Sequence, residues 1–294
     1  KTFIGLNVQA FDAAKHRALP LVADAKGGLL ELTAALQEYK APASWTENAK
    51  SGKADWQKAA AKVTGPTNAA LPSDAQVIGA VQRTFGAEAT VLHAAGGLPG
   101  EMHKLWQAGA PGSYHAEYGF SCMGYEIAGG LGAKMAKPDD EVAVMIGEGS
   151  YLMLNSELAT SVMLGQRITV VLLDNRGYGC INRLQMGTGG ANFNNLLKDS
   201  KHEVLPDIDF AAHARSLGAI SEKVASIAEL ETALARAKDN DRTTVIVIDT
   251  DPLISTEEGG TWWDVAVPEV SQRSQVTAAR KEYEQKLKLQ RVGD

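Results

Sequence analysis

Three apolar runs, rich in β-branched residues, recur along the chain. They are Val142-Ala143-Val144-Met145-Ile146, Ile168-Thr169-Val170-Val171-Leu172-Leu173 and Thr244-Val245-Ile246-Val247-Ile248. A strand with one wet face alternates apolar and polar residues, whereas a strand apolar at nearly every position is covered on both faces. Helical periodicity separates the runs, at Tyr151 to Leu164, Phe210 to Ser216 and Ile227 to Ala237. A shorter strand, Thr90 to His93, and a small-residue helix, Tyr125 to Lys134, precede them. This order predicts an α/β fold, a parallel sheet flanked by helices, with ligands beyond the carboxyl ends of the strands.

Around that unit the pattern is weaker. Phe3 to Val8 reads as a short strand and residues 27–40 as a helix. The start, Lys1-Thr2-Phe3-Ile4-Gly5, has no Met and reads as mid-fold sequence, so a longer polypeptide is expected. Residues 41–70, rich in Ala, Lys, Ser, Thr and Pro, read as a linker carrying a helix around Asp55 to Lys62. Ser73 or Asp74 caps a helix running to Phe85. The charged stretch Gln275 to Leu289 reads as a surface or interface helix. The expected division is 1–44, a linker at 45–70, a main unit at 71–270 and a terminal helix at 271–294.

Charge narrows the function. Among 294 residues, 29 are basic and 35 acidic, a net charge of −6 with no block of like charge. Nucleic-acid binding needs clustered Lys and Arg, so it is not expected. No run approaches the ~18 apolar residues of a membrane span. The two cysteines, Cys122 and Cys180, lack ligand-type spacing and read as small buried side chains in a reduced, cytoplasmic setting.

The chemistry concentrates at Gly147-Glu148-Gly149-Ser150 and Asp174-Asn175-Arg176-Gly177. Each follows an apolar strand, and strand, helix and strand form one right-handed crossover. If the strands are neighbours, Glu148 and Asn175 end at comparable heights on one sheet edge. Glu148 offers a carboxylate oxygen, Asn175 an amide oxygen, and Gly177 lets a backbone carbonyl turn inward. Such oxygens suit Mg²⁺, which fills its remaining positions with phosphates and water. Gly149 and Ser150 open a helix, whose free N–H groups favour a diphosphate.

The two segments resemble the signature of the thiamine diphosphate-dependent enzymes: Gly-Asp-Gly, a spacer, then Asn-Asn. Glu148 replaces the usual Asp and Asp174 the first Asn. The resemblance implies the diphosphate-binding fold, with Glu148, Asn175 and the Gly177 carbonyl as Mg²⁺ ligands. The run His93-Ala94-Ala95-Gly96-Gly97-Leu98-Pro99-Gly100 is similar to the family's diphosphate turn, which implies cofactor contacts at Gly97 and Leu98, alongside Gly147, Gly149, Ser150, Asn175 and Gly177. Glu117 to Tyr125 is similar to the segment beneath the cofactor rings, where Met123 would hold them in a V shape.

Within the superfamily, Tyr114 to Phe120, Asn175 to Ile181 and Gly260 to Val265 are similar to the hydrolases that open a cyclic 1,2-dione in myo-inositol breakdown. That likeness spans essentially the whole chain. It implies hydrolytic carbon–carbon cleavage giving 5-deoxy-glucuronate. The alternatives are a 2-oxo-acid decarboxylase or acetolactate-type carboligase, and a cofactor-binding half without activity of its own. The resemblance further implies a homodimer or homotetramer and a pyrimidine-binding domain, from the same or a neighbouring chain, that carries the activating glutamate. No residue here receives that role.

Other residues carry bland readings beside functional ones. His93 and His115 are candidate proton donors, and a lone histidine in such turns is ordinarily a structural hydrogen bonder. Trp262 and Trp263 suit a lid, an interface patch or the core equally. Gly130-Leu131-Gly132 falls inside an expected helix without a preceding strand, so it is no dinucleotide turn.

Overall fold

The computed structural model describes residues 2–258 and 265–289. Two compact units emerge, residues 1–55 with 281–294 and residues 56–280. The divisions fall inside two helices, Ala43–Val63 and Ser274–Leu287.

In the smaller unit, β1 (Ile4–Asn7) and β2 (Leu19–Val22) pair in parallel, and the helix Ala25–Ala35 follows. Asp24 starts that helix by accepting from the N–H groups of Lys26 and Gly27.

The larger unit is built on six strands: β3 (Thr90–His93), β4 (Tyr114–Ala116), β5 (Val142–Gly147), β6 (Thr169–Asp174), β7 (Ile220–Val224) and β8 (Thr244–Asp249). Their order is β4-β3-β5-β6-β8-β7, and every pairing is parallel. From β3 the chain moves outward to β4, then returns to place β5 on the other side of β3. The strand order therefore reverses between β3 and β5, where the loops leaving two adjacent strands diverge and open a crevice.

Alternate strand residues feed two cores. Val91, Ala143, Met145, Val171, Leu173, Ile246 and Ile248 pack under the helices Asp74–Phe85, Gly97–Leu105 and Ile227–Asp239. Val142, Val144, Ile146, Val170, Leu172, Val245 and Val247 face the other way, towards the helices Tyr125–Ala136, Glu148–Met153, Glu157–Met163 and Phe210–Ser216. Gly130 lies inside Tyr125–Ala136, where a Cβ would sit 2.3 Å from Val144 Cγ2. It is a close-packing glycine rather than a ligand turn.

Several elements depart from the sequence expectation. The stretch expected as a linker contains the 21-residue helix Ala43–Val63, built largely from good helix formers, with Pro42 just ahead and Gly65-Pro66 just beyond. Trp56, Ala60 and Val63 pack on the first core. The expected helix Tyr151 to Leu164 is two helices, because the Asn155 side chain donates to the Tyr151 carbonyl at 3.1 Å, the acceptor that a continuing helix would use. Cys122, expected to be buried, is exposed. Trp262 and Trp263 lie outside the described residues. Among the described residues no helix is long and apolar enough to cross a membrane.

Candidate functional site

At the strand-order reversal lies a cleft of about 220 Å³. Its walls come from three turns. Ala95 to Leu98 follow β3, Gly147 to Ser150 follow β5, and Asn175 to Arg183 follow β6, joined by Ser121, Met123 and Asp74. Gly97, Leu98, Met123, Gly147, Glu148, Gly149, Ser150, Asn175 and Gly177, scattered over 81 positions of sequence, thus surround one space.

Each turn is shaped by its residues. Gly96 has φ +98° and ψ −158°, a conformation that L side chains rarely adopt, and it starts the helix Gly97–Leu105. A Cβ on Gly149 would lie 2.9 Å from the Tyr178 ring and 3.6 Å from Met123 Cε. Gly177 has φ +146°, and a Cβ there would meet the Asn195 carbonyl at 2.4 Å. The turn before it is tied by Asp174, which accepts from Arg176 N–H at 2.9 Å and pairs with the guanidinium at 3.3 Å. Arg176 also donates to Asp207 at 2.7 Å.

β5 and β6 are hydrogen-bonded neighbours, so the turns of Glu148 and Asn175 meet. The Glu148 carboxylate accepts from Gly177 N–H at 2.7 Å and Asn175 N–H at 3.3 Å. Glu148 is buried, and burial pushes its acid up to about 7 against those two bonds. Asn175 Oδ1 is buried with no hydrogen-bond partner. An orphaned buried carbonyl oxygen carries an unmet desolvation cost, and a cation at this point removes it. Among the described residues no group of three or more His, Cys, Asp or Glu is arranged to hold a metal. Glu148 and Asn175 bring one carboxylate and one amide oxygen together here, oxygens that fit a hard cation carrying phosphate and water.

Ser150 does more than line the cleft. Its hydroxyl donates to the Glu126 carboxylate at 2.8 Å and accepts from Gly124 N–H at 2.7 Å. Glu126, buried at the start of Tyr125–Ala136, also accepts from Gly124 N–H at 3.1 Å and Ala95 N–H at 3.4 Å. One acid therefore joins the turn after β3, the entry to a helix and the turn after β5. Sequence reasoning missed it, and missed Asp74 and Arg183 in the cleft wall, because the signal lies in partners remote along the chain.

His93 and His115 do not line this cleft. His93 is fully buried, and its Nε2 lies 2.7 Å from the Tyr114 hydroxyl, which in turn lies 3.0 Å from His103 Nδ1. His115 Nε2 lies 2.8 Å from the Tyr125 hydroxyl. Burial, reinforced by His103 and His115, holds His93 down to about 4. The unfolded chain takes up that proton near 6.5, so between about pH 6.5 and 4 acid favours unfolding. Urea unfolding of the ligand-free protein is expected to show stability falling with acid in that window. His93→Gln is expected to flatten the fall by up to about 1.4 kcal/mol per pH unit. An unchanged slope would show that His93 does not set it.

Comparison with known proteins identifies a family. Residues 94–248 match the family described as the thiamine pyrophosphate enzyme, C-terminal TPP binding domain. A 3D-(3,5/4)-trihydroxycyclohexane-1,2-dione hydrolase of Bacillus anthracis is 38% identical over 315 aligned residues, covering 97% of this chain and 48% of the relative. The protein of that name from Geobacillus thermodenitrificans is 37% identical over 313, covering 97% and 49%. The chain thus spans about half the length of the curated relatives it matches. Among solved structures, a Rhodococcus jostii thiamine diphosphate-dependent 4-hydroxybenzoylformate decarboxylase superposes with a TM-score of 0.56 at 22% identity, covering 63% of this chain and 34% of that one. A benzoylformate decarboxylase from Polynucleobacter necessarius gives 0.53 at 20% identity, covering 61% and 33%. At such identities the two structures speak to the fold alone.

Proposed function

The chain belongs to the thiamine pyrophosphate enzymes, and from that premise we propose that it serves a thiamine diphosphate- and Mg²⁺-dependent hydrolysis that opens the ring of a trihydroxycyclohexane-1,2-dione at a carbon–carbon bond. The observation that carries the cofactor reading is the buried, unpartnered Asn175 Oδ1 beside the Glu148 carboxylate. The substrate reading rests on the relatives' name and on likeness along 97% of the chain.

In this reading Glu148, Asn175 and the Gly177 carbonyl hold Mg²⁺. Gly97, Leu98, Gly147, Gly149 and Ser150 hold the diphosphate, and Met123 supports the rings. Bound thiamine diphosphate supplies a carbon nucleophile and electron sink for cleavage next to a carbonyl. The chain's own residues position and shield. Glycines at 96, 149 and 177 let backbone close in where a side chain would collide or strain. Glu148 fixes the Asn175–Gly177 turn through two backbone N–H groups. Apolar Leu173, Met123 and Ile181 line the cleft, and Leu173 is buried.

The reading extends to the remainder of the assembly. Residues 1–44 belong to a central domain, 45–70 lead into the cofactor domain at 71–270, and the helix Ser274–Leu287 follows it. A pyrimidine-binding domain, of the same or a neighbouring chain in a homodimer or homotetramer, completes the site and brings the activating acid.

The test supplies Mg²⁺, thiamine diphosphate and either the cyclic dione or pyruvate. The chain is assayed alone and with the N-terminal half of the Bacillus anthracis relative. Acid release from the dione, only when both halves are present, is expected. Carbon dioxide from pyruvate would favour a decarboxylase or carboligase. Turnover by the chain alone would contradict an activating acid supplied elsewhere.

A further inference from the structure

Among the described residues that line the cleft, Arg183 is the one cation, and the proposed metal and ring contacts leave it unassigned. It stands in the helix Gly179–Gly187. A Cβ built on Gly97 would lie 2.3 Å from Arg183 Nη2. The guanidinium therefore fills the niche that a side chain at position 97 would take. Its Nη1 donates to the Pro252 carbonyl at 2.6 Å, which anchors it.

That placement sets a positive charge against the first turn of the helix Gly97–Leu105, whose N-cap Gly96 offers no side-chain cap. Free N–H groups and the positive dipole end there attract anions and disfavour cations. A guanidinium held beside those N–H groups forms a pairing that an anion bound between them stabilises. The nearby acids Glu101 and Asp251 are held by other donors. Glu101 accepts from Thr256 N–H at 2.9 Å and its hydroxyl at 2.5 Å. Asp251 accepts from Leu253 N–H at 2.7 Å and Ile254 N–H at 3.2 Å. Asp74 also lines the cleft and acts on Arg183 through space, with no ion-pair contact between them.

We propose that Arg183 is a phosphate-binding residue of this cleft, gripping a phosphoryl group against the N-terminal turn of Gly97–Leu105. The proposal rests on the thiamine diphosphate reading and names a further residue of that site. Glycine at 97 then has a specific meaning, since it leaves the niche from which the arginine reaches the anion.

Calorimetric titration of the full chain with Mg²⁺-pyrophosphate, Mg²⁺-thiamine diphosphate and unphosphorylated thiamine tests it, with thermal unfolding as a control. Arg183→Gln is expected to weaken both phosphorylated ligands about tenfold to a hundredfold and to leave thiamine unchanged. Arg183→Lys retains part of the affinity. Gly97→Ala, whose φ is ordinary, displaces the guanidinium tip and weakens the same two ligands. Wild-type affinity for both phosphorylated ligands in Arg183→Gln overturns the proposal and leaves the cofactor reading standing. Equal losses for thiamine with a lowered midpoint make Arg183 a strut for Pro252 and also overturn it. A wild-type chain that binds neither phosphorylated ligand overturns both.

Discussion

Asn175→Leu is expected to lower Mg²⁺-dependent affinity for thiamine diphosphate by about a hundredfold or more while leaving the ligand-free protein as stable as before, or more so. The two halves of this expectation share one cause. Asn175 Oδ1 is buried without a partner, so in the free protein it carries a desolvation cost and returns no hydrogen bond. Leucine has nearly the same shape and no oxygen. It removes the cost together with the ligand atom. Backbone N–H of Asn175, which donates to Glu148, is untouched. Calorimetric titration and urea unfolding of the same variant check both halves. A stability loss of several kcal/mol with unchanged cofactor affinity would make Asn175 a structural residue and remove the main support for the metal site.

Such a signature separates function from architecture because the two were legible to different degrees. β5, β6 and β8 could be read directly, since strands covered on both faces show unbroken apolar runs. The site followed from them: two turns leaving adjacent strands must end on one edge. The edge strands were not legible. β4 is Tyr-His-Ala, three residues with no apolar run, and β7 reads Ile-Ser-Glu-Lys-Val, with only Val224 buried. An edge strand pairs on one side only, so burial marks it weakly. The helix Gly179–Gly187 opens on a glycine, a poor helix former, and carries no clear apolar stripe.

Side chains acting across the fold were hidden for a different reason. Local sequence shows Glu126 as an ordinary charge in the first turn of a small-residue helix and Arg183 as an ordinary helical arginine. Their roles exist only once β3, β5 and β6 stand side by side and bring positions 95, 124 and 150, or 97 and 183, together. Motif reasoning finds residues that act through their neighbours in sequence. It does not find those that act between motifs.

Glu126→Ala is expected to lower unfolding stability by about 3 kcal/mol or more and to weaken cofactor binding with it. The carboxylate is buried and accepts from Ala95 N–H, Gly124 N–H and the Ser150 hydroxyl, three donors from three segments of the cleft wall. Alanine leaves them facing a space without an acceptor, and each buried unpaired donor costs about 1–3 kcal/mol. Ser150 Oγ still accepts from Gly124 N–H, so the loss is smaller than three full penalties. Glu126→Gln falls between, because its amide oxygen replaces one acceptor while its NH₂ opposes a donor. Burial pushes the Glu126 acid up, and the three donors oppose that shift because they favour the ionised form. Urea unfolding ranks the three proteins, and titration with thiamine diphosphate shows whether affinity follows the same order. An alanine variant within 0.5 kcal/mol of wild type, a surface-like effect, would mean that the three turns hold their places without Glu126.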